Sequence, residues 1–437
     1  MIRNAGTNDE PLKCYRVALV VTAVAAVHAT VHTIAQEVPQ NSQLQDAERE
    51  EYASQQRKRV RDARDINVNL CNTITKLKFA EEDNFRKILR NGTQNDTETL
   101  KNGLRWEIYR ASDPVYKSNP AGFQGLKARL QNNILSNAGV GIGGRRQRLE
   151  FRKLVCSEAL ICLKELLENN FQARSLAVEL LPSLETVTDA RQRQIFDDAA
   201  DVLIEVLANE QQPDAIKLRA AESIALYLQN CDPGALIEIK FAAAVRDELD
   251  SWLPATGYQI HLIDALSRVR AAREIVGTTR RPVVIETLVA VMQDKRREAL
   301  IRCRAAGALG LAGIDDSIKG APLAWKVVQL SAEMAAAYNQ DSSYKHWSTC
   351  GLELFFAFKD RDASSQRGQS LNGMLNKFDQ SALVQSAYAQ ALPVIAAVLD
   401  RQGEVDAATI ESVNKWVSDN QPNDLSFDAK TSAAVNP

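Results

Sequence analysis

The chain has 437 residues, 45% of them hydrophobic and 25% charged, which suits a folded protein of two or three domains or one extended repeat array. Its 53 basic and 55 acidic residues leave a net charge of −2, so no global field attracts nucleic acid or an anionic membrane. Aromatic residues reach only 6%, and alanine and leucine fill the apolar positions, which favours packed helices over sheets.

At the amino terminus, Lys13 and Arg16 precede "VALVVTAVAAVHATVHTIA", residues 17 to 35, a run without charge and rich in Val and Ala. A basic stretch, an apolar core and the small-residue patterns Val27-His28-Ala29 and Thr33-Ile34-Ala35 make up an export signal. Residues 1–35 therefore read as a signal peptide or, if uncleaved, as a membrane anchor, and the expected address is periplasmic or extracellular. Thr and His inside the run count against a span, which takes ~20 strongly apolar residues. Cys14 precedes the apolar run, the wrong side for a lipoprotein cysteine. Cys71, Cys156, Cys162, Cys231, Cys303 and Cys350 are scattered singly, form no C-x-x-C pair and read as buried thiols.

Residues 36–66 pass from an acid-rich to a base-rich half and read as a charged spacer or a solvated helix. Residues 67–137 carry helical patterns broken by "RNGTQNDT" and "SDPVYKSNPAG", and form a helical amino-terminal region; Asn91-Gly-Thr93 and Asn95-Asp-Thr97 fit the N-glycosylation pattern. In "AGVGIGGRRQR", residues 138–148, Gly139, Gly141 and Gly144 fit G-x-G-x-x-G. A dinucleotide loop needs a strand before its first glycine, whereas here a helix stands on each side, so the segment reads as a linker.

Amphipathic helices follow at about 150–168, 171–187, 190–208, 214–229, 235–252, 257–273, 281–293, 298–312, 322–339, 342–359 and 384–400, without strand-like alternation. A capping helix is expected at 403–419 and a disordered tail at 420–437. "PDAIKLRAAESIALYL" at 213–228 resembles "EALIRCRAAGALGLAG" at 298–313, with Arg219-Ala-Ala and Arg304-Ala-Ala 85 positions apart, or two units of about 42. Further anchors fall near 174, 262, 346 and 388.

This pattern resembles the HEAT repeat family, whose second helix opens D-x-x-V-R-x-A-A-x-A-L. Asp214, Arg219, Ala220 and Ala221 match it, as do Arg304, Ala305, Ala306, Ala308, Leu309 and Gly310, while the other four units keep only the period. The resemblance covers 149–402 and implies an all-α fold, an α-solenoid of about six helical pairs in which stacking buries each pair's apolar face and leaves a concave surface.

Chemistry is sparse. The sequence holds no G-x-S-x-G, H-E-x-x-H, Walker or calcium-loop motif, and only His261 and His346 remain after the export segment. His346 and Cys350 stand four apart, enough for half a zinc site or a thiol–imidazole pair, with a packed helix face as the plainer reading. Trp252, Trp325, Trp347 and Trp416 read as packing residues. Arg268, Arg270, Arg273, Arg296 and Arg297 are candidate partner-binding residues, though acids are interleaved with them. No catalytic, metal or cofactor residue is assigned, no cofactor or small molecule is expected, and membrane contact is expected only through residues 1–35. The expected function is a non-catalytic scaffold or adaptor holding a protein or peptide along the concave face. The alternatives are a HEAT-like lyase or modifying enzyme with its site in that groove, and a nucleic-acid-binding solenoid, which would need a continuous positive stripe.

Expressed with its own amino terminus in a secretion-competent cell, the mature chain should begin at Thr30 or Gln36 by intact-mass analysis; a soluble cytosolic product retaining residues 1–35 would contradict the export reading.

Overall fold

A computed structural model describes residues 43–74, 76, 78–92, 96–189, 193–250, 255–271, 273–276, 279–361, 372–401 and 403–424. The apolar run at 17–35, Asn95, Trp252 and most of the expected tail lie outside these residues. The chain divides after Arg49, and every contact described below lies in the main unit, Glu50–Pro437.

The described residues are overwhelmingly helical. Helix α1 (Gln43–Asp65) is the charged stretch itself, built from good helix formers. It is tied down: the Tyr52 hydroxyl donates to the Asp214 carboxylate, Gln56 Oε1 accepts from the Asp214 amide at 3.0 Å, and Arg64 lies 5.6 Å over the Phe171 ring. Next come α2 (Phe79–Asn91), α3 (Thr97–Tyr109) and α4 (Pro120–Ala128), the last running into a wider turn at Arg129–Leu135. Their core is Phe85, Leu100, Leu104, Ile108 and Leu130, all buried.

The glycine-rich segment is a packed turn. Gly139 and Gly141 donate their amides to the Leu89 and Arg90 carbonyls at 2.8 Å each, capping the end of α2, whose last carbonyls lack partners within the helix. Val140 and Ile142 donate to Asn137 and Gly139, so these four consecutive amides face carbonyls of the chain. Gly139 has φ +70°, which a side chain would disfavour. Beneath it, the buried Arg152 guanidinium donates to the carbonyls of Glu185 (2.7 Å), Ala138 (2.8 Å) and Leu135 (3.2 Å).

Beyond it run α5 (Arg145–Leu167), α6 (Phe171–Leu180), α7 (Asp197–Ala208), α8 (Asp214–Asn230), α9 (Ala235–Asp250), α10 (Thr256–Ser267), α11 (Val283–Gln293), α12 (Ala299–Leu309), α13 (Gly320–Gln340), α14 (Trp347–Phe358), the single turn α15 (Met374–Lys377), α16 (Ala382–Asp400) and α17 (Ala407–Asp419). Two successions of neighbours result: α6 touches α8, then α8 α10, α10 α12, α12 α14 and α14 α16, while α7 touches α9, α9 α11 and α11 α13. Helix α16 is long and apolar enough to cross a membrane, yet it packs on α13, α14 and α17.

The expected absence of strands needs correction. The predicted helix 171–187 stops at Leu180, before Pro182, and Glu185–Val187 pairs antiparallel with Gln194–Ile195; the helix predicted from 190 begins at Asp197. Likewise the helix predicted to 273 ends at Ser267, and Glu274–Val276 pairs with Thr279–Arg281. Strands of two or three residues are too short to show alternation in a sequence.

Small residues set the helix spacing. Ala220, Ala221, Ala305 and Ala306 are fully buried. A methyl group on Gly310 would run into the Phe356 carbonyl oxygen, and one on Gly351 would lie 2.9 Å from the Leu399 amide nitrogen, so α12, α14 and α16 approach backbone to backbone. Gly257 in α10 faces open space. Gly310→Ala should therefore destabilise by about 1–3 kcal/mol through overpacking, whereas Gly257→Ala should be neutral or stabilising by up to about 1 kcal/mol; thermal unfolding of both variants checks the contrast.

Candidate functional site

A ladder of charged side chains runs along α6 to α14. Glu179 on α6 accepts from Lys127 at 2.5 Å and lies 3.6 Å from Arg219 on α8; Arg219 holds Glu222 at 2.7 Å, and Glu222 lies 3.6 Å from His261 on α10. One turn further along α10, Asp264 accepts from Arg304 on α12, Arg304 also reaches Glu353 on α14, and Glu353 accepts from Arg361 just past that helix. The two arginines of the repeated Arg-Ala-Ala motif thus make the same contact: each meets an acid 40 positions back on the preceding member of its succession, Glu179 or Asp264.

The ladder changes character along its length. Arg219 and Glu222 are 41% and 28% exposed and gain little from pairing in water. Glu353 is 3% exposed and Arg304 18%, so the second half is a largely buried quartet of two acids and two bases. Burial works against the charge on Arg304, but Asp264 and Glu353 outweigh it and hold the guanidinium above its ordinary pKa.

Next to the quartet opens a cleft of about 1330 Å³, formed by the ends of α8, α10 and α12 and by α15 with its following turn. Arg268 and Arg270 stand on its rim, Asp264, Arg304 and Arg361 reach it from the ladder, and Lys377 from α15. Lys377 Nζ donates to the Ala312 carbonyl at 2.6 Å, and burial pushes its pKa down to about 8. A lysine depressed in the folded state binds fewer protons there than when unfolded, so its contribution to stability grows as pH rises from about 8 towards the ordinary lysine range.

The five arginines proposed from sequence do not form one stripe. Arg268 and Arg270 meet at the cleft; the backbone amides of Arg270 and Ala271 donate to the buried Glu238 carboxylate at 2.6 and 2.5 Å, which fixes that rim. Arg273 is 7% exposed and turned inward onto Asp315, Ser317 and the Arg280 carbonyl, holding Asp315 down to about 2. Arg297 is 5% exposed and donates to Gln259, Asp294 and the Leu249 carbonyl. Both are structural cations, because their guanidinium groups are consumed inside the fold. Arg296 is exposed, folded onto Asp294 at 2.8 and 2.9 Å.

Nor do His346 and Cys350 pair. His346 occupies the N-cap position of α14 without a side-chain capping bond and stacks edge-on against Tyr344 at 5.3 Å, and Cys350 instead meets Cys303 of α12. All six described cysteines are free thiols, and burial pushes Cys156 and Cys162 up to about 12, far from nucleophilic range. Trp325, Trp347 and Trp416 donate their indole N–H to Val417 O, Asp341 O and Ser386 Oγ, as packing residues do. Arg304 was legible from its motif, while nothing in the residues around Arg361 and Lys377 marked them. Comparison with known proteins finds no family model, no curated protein and no solved structure that matches the chain.

Glu353→Gln leaves two arginines sharing one buried neutral acceptor and should cost about 3–5 kcal/mol, whereas Arg219→Met on the exposed half should cost under about 1 kcal/mol; denaturant unfolding of the two variants checks the difference.

Proposed function

We propose that the protein is an exported, non-catalytic scaffold, an α-solenoid of HEAT-like helical pairs that holds a partner protein along the face carrying the charged ladder. The carrying observation is that ladder: acids and bases repeat on the alternate helices α6, α8, α10 and α12, forming a polar track whose first half is partly exposed. The recurrence of the Arg219–Glu179 contact at Arg304–Asp264 supports a stacked repeat. The succession from α6 to α16 is also packed more closely than that from α7 to α13, as expected if the former lines the inside of a curve. Export rests on the composition of residues 1–35. A partner bound there would exchange contacts with the half-exposed pairs, which cost little to break.

The test is site-specific photo-crosslinking of the exported chain. A crosslinker at Arg219 or His261 should capture one and the same protein, while one at Lys164 or Lys240, whose partners Glu205 and Asp201 lie on the other succession, should not. Equal yields from all four positions, or none from the first two, would contradict the reading.

A further inference from the structure

Two cationic side chains in the cleft beside the ladder are short of acceptors. Glu353 places one oxygen on Arg304 and the other on Arg361 Nη2, so it cannot also serve Arg361 Nε, which is buried and has no hydrogen-bond partner. A buried donor left alone costs roughly 1–3 kcal/mol, and more when charged. Lys377 Nζ carries three protons and has one acceptor, the Ala312 carbonyl. Both residues line the same cleft as Arg268 and Arg270.

The other charges there are largely spoken for. Asp264 is paired with Arg304 and Asp315 with Arg273, which leaves Asp316 and Asp379 as the remaining acids of the lining. Helix-end carbonyls that would repel an anion are capped: Val269 O accepts from Gly313 at 3.4 Å, Gly310 O from Gly373 at 2.8 Å, and Ala312 O from Lys377. Neither of these acids hydrogen-bonds Arg361 Nε or Lys377 Nζ, so what those two groups lack is an oxygen acceptor carrying negative charge.

We infer that this cleft binds an acidic segment of the partner, with a Glu or Asp carboxylate received by Arg361 Nε and Lys377 Nζ and the flanking chain crossing the rim at Arg268 and Arg270. The inference rests on the scaffold reading and names the chemistry of the partner. The large open volume fits an extended peptide rather than a single small anion. Burial, only partly offset by the nearby Asp360, holds the Lys377 proton loosely, and a carboxylate beside it would restore its affinity, so binding draws in a proton near pH 8.

The experiment uses the full exported chain and a fluorescent peptide alternating Glu and Gly, read by anisotropy against the same peptide with Gln for Glu. The Glu peptide should bind about tenfold tighter or better, as a charge-assisted hydrogen bond implies. Arg361→Lys, which keeps a cation for Glu353 but removes Nε, should lose about that tenfold while circular dichroism shows the helical fold intact at the assay temperature. Calorimetry near pH 8 in two buffers of different ionisation heat should show proton uptake that Lys377→Met abolishes. Equal binding of the Gln peptide, unchanged binding by a folded Arg361→Lys variant, or displacement by free glutamate at the concentrations at which the peptide itself binds would each overturn the proposal. Crosslinks at Arg219 and His261 persisting without peptide binding would sink this inference and leave the scaffold reading intact; intact peptide binding without those crosslinks would do the reverse.

Discussion

Backbone contact between alternate helices is the constraint on which this structure depends. Helices α12, α14 and α16 can meet only because Gly310 and Gly351 carry no side chain where the next helix's backbone arrives. At that separation a long side chain cannot lie between the helices and has to leave along the groove. Arg304 leaves towards α10 and α14 at once, meeting Asp264 and Glu353. Tight packing thus brings charges from three helices into one low-dielectric place, where each needs the others to be tolerated.

The same geometry explains why the ladder is uneven. Around Arg219 the neighbours leave water access, and the pairs there have the loose economy of a surface. Around Arg304 and Arg361 the helices close over, Glu353 is nearly excluded from solvent, and the arrangement becomes an obligate network. A network with two acids serving two guanidinium groups satisfies charge before it satisfies every N–H, and Arg361 Nε is the group left over. Structural need and a potential recognition feature therefore arise from one set of residues.

Several elements lie outside the two successions of neighbouring helices. Helix α1 is held from the side through Tyr52 and Gln56 on the first residue of α8, where a helix start has unpaired N–H groups to offer. Burial raises the Asp214 carboxyl, and the Tyr52 hydroxyl that it accepts from works in the opposite direction. The glycine-rich turn also serves a helix end, that of α2, with amides that a nucleotide loop would have turned outward. In both places backbone groups orphaned by helix geometry have recruited distant chain, and neither pairing is encoded in local residue patterns.

Helix periodicity was readable because burial repeats every three or four residues, and the predicted bounds of α8, 214–229, differ from Asp214–Asn230 by one residue. The close match of Arg219-Ala-Ala to Arg304-Ala-Ala was also readable, since the alanines and the arginine answer to the same packing in both places. Helix ends next to the two hairpins were not, because two or three paired residues leave no period. The fate of individual arginines was not either: Arg268, Arg270, Arg273, Arg296 and Arg297 look alike in sequence, yet the fold puts two at a cleft, consumes two internally and leaves one on its neighbour. By itself the chain determined where helices form and that they recur, which depends on local spacing; only tertiary structure decided which charges meet, because Arg304 and Glu353 are 49 positions apart and are joined by packing alone.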